Sequence, residues 1–378
     1  MTYYMRFLCL FILGLTLVSS PSSAMQKTKA KQALVMDYQT GQVLFSKQAD
    51  TQMPTSSMSK VMTTYMVFDA LKNKQIEMDS KFRVSEKAWA KGGSKMFVGQ
   101  GSKIKVEDLL RGVIIQSGND ATIVLAEGLS GSEEKFAKDM TKKALEIGMG
   151  NSNFVNASGW PDPNHYSTAQ DLVVMTRRMI EDFPEYYKMF AEKEFTYSNI
   201  KQQNRNPLLY RDVGADGLKT GHTEVGGYGL IGTAQKDGRR VIMVINGLES
   251  DKDRANESVR LIEWALEDFT NISLIKKGQA VTQAPVAMGA VDTVSLTVAK
   301  DINITVPKVP KDSFSVEVTY NSPLIAPIAA GTQIGEMKII IPNAENLTYP
   351  VVAAEDVNKL GLFKSTFVKA KYFLLGKI

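Results

Sequence analysis

The sequence predicts an α/β (α+β) arrangement: a large domain with an antiparallel sheet flanked by helices, then a small all-β domain and a C-terminal amphipathic helix. Three observations predict it. Strand-like apolar runs stand near the two ends of the large segment, at Ala33 to Phe45 and at Asp212 to Leu248, with helical periodicity between them. From about Asn271 the pattern changes to strict alternation, as in Val294-Leu296-Val298, Ile302-Ile304-Val306 and Phe314-Val316-Val318-Tyr320. The last stretch, Val357 to Ile378, repeats apolar residues at helical spacing and carries five lysines with no acidic residue.

In order along the chain, residues 1–24 read as a signal peptide. Arg6 gives a positive start, Phe7 to Val18 an apolar run too short to span a bilayer comfortably, and Ser22-Ser23-Ala24 a small-residue cleavage site. Ala33 to Phe45 reads as a hairpin turning at Gln39-Thr40-Gly41. Pro54-Thr55-Ser56 leads into a central, buried helix whose face continues through Met62, Tyr65, Met66 and Asp69. Val106 to Gln116 is a second helix, and Asp120 is placed to cap a third, Ala121 to Leu129. Ser132 to Met149 and Asp171 to Glu181 are further helices, separated by a loop from Asn151 to Thr168. Strands follow around Asp216 to Thr220, Tyr228 to Thr233 and Arg240 to Ile245, the last two joined by a turn at Lys236-Asp237-Gly238. A helix from Arg254 to Phe269 closes a domain spanning residues 25–274, and the all-β domain occupies residues 275–353. Residues 354–378 form the amphipathic segment, whose lysines suit an anionic membrane surface bound through Leu360 to Ile378.

The composition narrows the function. With 44% hydrophobic and 22% charged residues the chain is ordinary globular protein. A net charge of +5, with both signs interspersed, is no nucleic-acid footprint. The one cysteine, Cys9, lies in the signal segment, so the exported chain has neither disulfides nor thiol chemistry. His165 and His222 are the only histidines and lie far apart, which argues against a metal site or a Ser-His-Asp triad, and no cofactor is expected. Trp89, Trp160 and Trp264 read as packing residues.

The chemistry concentrates in three short motifs. Ser57-Met58-Ser59-Lys60 sets a hydroxyl and an amine three residues apart, on one face of a helix. A serine needs an adjacent base, and a lysine serves only if burial and neighbouring charge lower its pKa. The same spelling recurs at Ser102-Lys105, Ser132-Lys135, Ser198-Lys201 and Ser273-Lys276, read as polar faces, caps or linker. Behind Ser57-Lys60 stand, in order, Ser117-Gly118-Asn119, a hydroxyl and amide able to relay a proton and hold a substrate amide, and Lys219-Thr220-Gly221. In the latter, Lys219 and Thr220 suit a substrate carboxylate and Gly221 leaves room for a peptide backbone.

The order S-x-x-K, S-x-N, K-T-G resembles that of the penicillin-binding proteins and class A β-lactamases. More closely, the chain resembles the low-molecular-mass penicillin-binding proteins of the D-alanyl-D-alanine carboxypeptidase type, across nearly its whole length. That resemblance implies a penicillin-binding/β-lactamase-like fold and a serine peptidase that removes the terminal D-alanine from peptidoglycan stem peptides. Ser57 would be the nucleophile and Lys60 its base, with the backbone N–H groups of Ser57 and His222 as the oxyanion hole. Arg254 stands where the family has an arginine near the terminal carboxylate, and Arg205 also resembles a family position. β-Lactams would be covalent inhibitors, and the protein would sit peripherally on the periplasmic face of the inner membrane. The alternatives are a D,D-endopeptidase, a weak β-lactamase, and a non-catalytic cell-wall scaffold. The deacylating Glu-x-x-Leu-Asn string of class A is absent between Asn119 and Lys219, and the intact motifs disfavour the scaffold.

Overall fold

The computed structural model describes residues 27–309, 314–341 and 346–361. The signal peptide expected over residues 1–24 and residues 362–378 of the expected C-terminal amphipathic helix lie outside the described residues. The chain divides into one compact unit ending at Asp268 and a second beginning at Phe269. Residues 354–361 of the expected amphipathic segment are not helical, with Val357 buried in the core of the second unit and bridged to Ile328.

The first unit is built on a five-stranded antiparallel sheet. Its strands are β1 (Gln32–Asp37), β2 (Val43–Lys47), β3 (Ala215–Thr223), β4 (Gly227–Lys236) and β5 (Arg239–Leu248), in the spatial order β2-β1-β5-β4-β3. The central strand β5 is almost entirely buried because both of its faces are covered. Side chains alternate between the faces. Val241, Met243 and Ile245 join Leu261, Ile262 and Ala265 in one cluster, while Ile242 and Val244 join Leu172, Val173 and Met175 in another. The β4–β5 hairpin pairs Lys236 with Arg239 across Asp237 and Gly238. Both turn residues have positive φ, as a two-residue turn between twisted strands requires.

Six longer helices complete the unit: α1 (Lys60–Lys72), α2 (Val106–Ile114), α3 (Asn119–Ser130), α4 (Glu133–Glu146), α5 (Ala169–Asp182) and α6 (Asp251–Glu267). The starts of α4, α5 and α6 are capped by Ser132, Thr168 and Ser250, each accepting a hydrogen bond from a backbone N–H three residues on. Helix α1 is buried nearly all round, as befits the centre of a domain. Two residues expected on its buried face depart from that reading, since Met66 and Asp69 are only partly buried and Asp69 faces Lys143 at 3.4 Å.

Asp120 is not the helix cap expected from its position. The N-cap of α3 is Gly118, and Asp120 lies inside the first turn. Its carboxylate accepts hydrogen bonds from the backbone N–H groups of Met96 (2.8 Å), Phe97 (2.9 Å) and Val98 (3.2 Å). A buried carboxylate is favoured by several donors at once, and the incoming 96–98 segment supplies more than a helix start would.

The second unit holds a six-stranded sheet and a two-stranded one. Its strands are β6 (Phe269–Ile275), β7 (Ala280–Ala287), β8 (Thr293–Thr297), β9 (Ile302–Pro307), β10 (Ser315–Tyr320), β11 (Leu324–Ile325), β12 (Gln333–Ile340) and β13 (Leu347–Ala353). The larger sheet runs β10-β12-β13-β8-β7-β11, and β6 pairs with β9. Of the alternating residues read from the sequence, Val294, Leu296, Val298, Ile302, Ile304 and Val306 lie in its core, whereas Phe314, Val318 and Tyr320 are only partly buried and Val316 is exposed.

Candidate active site

Ser57 lies in a short 3-10 turn, Ser56–Ser59, that runs directly into α1. The turn brings the hydroxyl and the amine together. Lys60 Nζ donates to Ser57 Oγ at 2.8 Å and to the carbonyl of Ser158 at 2.6 Å. Lys60 is fully buried, and that burial lowers its pKa to about 7, assisted by the charges of Arg205 and Lys91 and opposed by Asp120. A lysine that is substantially neutral near pH 7, hydrogen-bonded to a serine hydroxyl, is a competent general base.

Ser158 belongs to the stretch read from the sequence only as a loop. Asn156 braces it, accepting hydrogen bonds from Ser158 N at 3.1 Å and Trp160 N at 2.9 Å. Next to it Gly159 has φ +76°, and a Cβ there would lie 1.8 Å from the Ser56 carbonyl oxygen. Glycine is the residue that lets this loop close over the Ser56–Ser59 turn.

The turn is held from behind by a buried polar chain for which no local pattern in the sequence accounts. His165 Nδ1 accepts from Val155 N at 3.3 Å, so its Nε2–H donates to Ser59 Oγ at 2.8 Å, and Ser59 meets Thr55 Oγ1 at 2.5 Å. Burial, aided by the charge of Lys60, lowers the His165 pKa to about 4, so the imidazole is neutral and serves as a brace. Its side-chain partner, Ser59, lies within the first motif far away in the chain, a spacing no linear pattern reveals.

Ser117 has φ +67° at the bend before α3, and its Oγ is buried with no hydrogen-bond partner among the described residues. Asn119 donates from Nδ2 to the carbonyl of Gly92 at 2.9 Å, while its backbone N–H donates to Ser94 at 2.8 Å. Arg205 reaches the same segment, donating to Ser94 Oγ at 2.7 Å. The second motif and Arg205 are thereby tied to one loop.

The third motif lies on β3, the end strand of the sheet, whose outer edge is available to an extended peptide. Gly221 passes so close to the nucleophile turn that a Cβ would lie 2.9 Å from the Thr55 carbonyl and 3.1 Å from Met58 Cγ. Lys219 and Thr220 are both buried. Burial, with Lys60, Arg205 and Arg254 nearby, pushes the Lys219 pKa well below the ordinary lysine range. The charge expected of Lys219 is therefore disfavoured until an anion enters. Arg254 is buried at the start of α6, bonded to Asp251, with its Nε unpartnered among the described residues and its guanidinium 5.6 Å from the Tyr228 ring. The exposed His222 ring stacks on the same tyrosine at 3.9 Å.

The four other S-x-x-K spellings are occupied otherwise. Ser132 caps α4 and Lys135 pairs with Asp139 at 3.1 Å. Lys201 pairs with Glu194 at 2.7 Å and Lys276 with Asp301 at 2.9 Å, while Ser102 bonds the carbonyl of Gly99 at 2.6 Å. Trp89 and Trp160 depart from their reading as packing residues, being 46% and 42% exposed, the latter beside the site.

Residues 18–250 match the family described as D-alanyl-D-alanine carboxypeptidase, and residues 269–359 match the C-terminal domain of penicillin-binding protein 5. The chain is similar to the D-alanyl-D-alanine carboxypeptidase DacA of Haemophilus influenzae, with 34% identity covering 88% of this chain and 86% of that one. The crystal structure of the D-alanyl-D-alanine carboxypeptidase DacD from Francisella tularensis is similar with a TM-score of 0.81 and 30% identity, covering 92% of this chain and 98% of that one. Penicillin-binding protein D2 of Listeria monocytogenes, solved in its ampicillin-bound form, is similar with a TM-score of 0.59 and 30% identity, covering 64% of this chain and 98% of that one.

Proposed function

The chain belongs to the D-alanyl-D-alanine carboxypeptidase family and is a serine hydrolase of that type; from that premise we propose how its residues divide the work. Ser57 attacks the carbonyl between the two terminal D-alanines of a peptidoglycan stem peptide, and Lys60 takes the hydroxyl proton. The C–N bond breaks, D-alanine leaves carrying a proton relayed through Ser117, and water then hydrolyses the acyl-serine. The N–H groups of Ser57 and His222 receive the oxyanion, which is typically worth about 3 kcal/mol per donor in the transition state. Asn119 orients the substrate amide, while Lys219, Thr220 and Arg254 take the terminal carboxylate and Gly221 admits the backbone. The observation that carries this reading is the fully buried Lys60 amine 2.8 Å from the Ser57 hydroxyl.

Mass spectrometry of products tests it. A synthetic pentapeptide stem is expected to lose one D-alanine, and a cross-linked dimer to be cleaved far more slowly. Preferential cleavage of the dimer would make the enzyme an endopeptidase, and rapid turnover of nitrocefin would make it a β-lactamase. β-Lactams acylate Ser57 in the same reading, a role supported by the ampicillin-bound relative.

The catalytic role falls to the unit ending at Asp268 rather than to all of residues 25–274, because Phe269–Ile275 pairs within the second unit, which serves as a spacer or interaction module. Export follows from the signal segment, and peripheral attachment to the periplasmic face of the inner membrane from the lysine-rich terminus. Among the described residues no helix is long and apolar enough to cross a membrane. Deleting Leu360 to Ile378 is expected to move the protein from the membrane to the soluble fraction, read by immunoblot of the two fractions. Retention of the truncated chain would place the attachment elsewhere.

A further inference from the structure

The strand that carries Lys219-Thr220-Gly221 has to be held in phase from one side. β3 is an end strand, paired along one edge to β4, and its other edge is the one left to a substrate peptide. The β3–β4 ladder carries a single irregularity there. Ala215 faces Ala234 and Gly217 faces Thr233, so Asp216 is an extra residue on β3, shortly before Lys219. Beyond it Lys219 faces Ile231 and Gly221 faces Gly229. Were the extra residue taken up after Lys219 instead, that lysine would slide one place along β4 and its side chain would turn to the other face of the sheet.

Asp216 is gripped at that point by groups from three other stretches of chain. Arg240 on β5 donates to both its oxygens, from Nη1 to Oδ1 at 2.7 Å and from Nη2 to Oδ2 at 2.6 Å, a fork that fixes orientation as well as distance. Thr233 Oγ1 on β4 and the hydroxyl of Tyr187, from the helical turn Pro184–Tyr187, lie 2.8 Å and 2.9 Å from Oδ1 and 2.5 Å from each other. One hydroxyl therefore donates to the carboxylate and the other to its neighbour. Burial, with the Asp216 charge beside it, raises the Tyr187 pKa well above the ordinary tyrosine range, so the phenol keeps its proton. A Cβ on Gly217 would lie 2.9 Å from the Tyr187 hydroxyl and 3.0 Å from Thr233 Oγ1, so the cluster sits directly against the backbone of the next residue. None of these four side chains belongs to the three motifs.

We propose that Asp216, Arg240, Tyr187 and Thr233 form a clamp that fixes the register of β3, and through it the place where Lys219 and Thr220 receive a substrate carboxylate. They are positioning residues, acting through the strand and not on the reacting atoms. The inference rests on the function proposed above. Ser57 and Lys60 stand on a different element, the turn leading into α1. A loosened clamp therefore impairs recognition of the carboxylate and leaves the reactivity of the serine intact.

The test compares acylation of the full-length enzyme by benzylpenicillin and by its methyl ester, which keeps the β-lactam ring and lacks the carboxylate. In the unaltered enzyme the second-order rate constant for the acid is expected to exceed that for the ester about thirtyfold, the worth of a hydrogen-bonded charge. Asp216→Asn keeps the shape of the side chain but turns a donor toward Arg240. It is expected to slow the acid about tenfold and the ester less than about twofold, with the loss in the dissociation constant of the pre-acylation complex and not in the rate constant at saturation. Tyr187→Phe removes one hydroxyl and lowers the acid-to-ester ratio about threefold. It decides the matter if the melting temperature shows that Asp216→Asn does not fold. Equal losses for acid and ester in the folded variant, or no loss for either, overturns the clamp and leaves the cluster a structural ion pair. Acid and ester acylating the unaltered enzyme alike instead overturns the placing of the carboxylate at Lys219 and Thr220, and labelling by neither overturns the parent function, the clamp falling with it in both cases.

Discussion

Replacing Ser57 by alanine is expected to abolish covalent labelling by a fluorescent penicillin and to lower D-alanine release by about 10⁴-fold or more. The hydroxyl is the one the structure places 2.8 Å from a buried, nearly neutral amine. The other serines of the same spelling serve a helix cap, a loop carbonyl or the neighbourhood of an ion-paired lysine. Stability should change little, since Ser57 is only partly buried and its loss leaves no core cavity. Gel fluorescence of the purified variant checks the labelling. Persistence of the label, or its transfer to Ser132, would remove Ser57 from the mechanism.

Replacing Lys60 by methionine is expected to lower acylation by about 10³-fold or more while changing how stability depends on pH. In the native enzyme the acylation rate should rise with pH through about 7 as the amine loses its proton. The stability effect has a definite sign. The native pKa, about 7, lies below the unfolded value of 10.5, so between those values the unfolded chain binds more protons and stability rises with pH. The methionine variant lacks that contribution. Its stability relative to the parent should therefore fall between pH 7 and pH 10.5, by about 5 kcal/mol. Denaturant unfolding of both proteins across that range measures the difference. A parallel pair of curves would show that Lys60 titrates normally, contrary to its burial.

Much of this was legible because it depends on local pattern. The hairpins at Gly41 and at Asp237-Gly238 announce themselves by residues that tolerate positive φ, and the strands by alternation. The three motifs identify themselves through their order. What stayed hidden depends on long-range company. Asp120 looks like a cap and holds the 96–98 segment instead, because its donors come from elsewhere in the chain. His165 carries no local signal for the brace it forms with Ser59 and Thr55. Ser158 contributes only a carbonyl, a group every residue has. Met66 and Asp69 follow helical spacing, yet a helix buried nearly all round leaves periodicity little to distinguish.

The burial of Lys60 also bears on the life of the chain before it is folded. In an open chain the amine keeps its ordinary pKa of 10.5 and the serine beside it has no base. The groups that change this come from elsewhere in the chain: the segments that bury the amine, the Ser158 loop among them, and the charges of Arg205 and Lys91. With Ser57 as the proposed nucleophile, its activation follows from completion of the tertiary structure, and a nascent copy is chemically silent. Covalent capture of a penicillin would then report how much of a preparation has reached its finished fold.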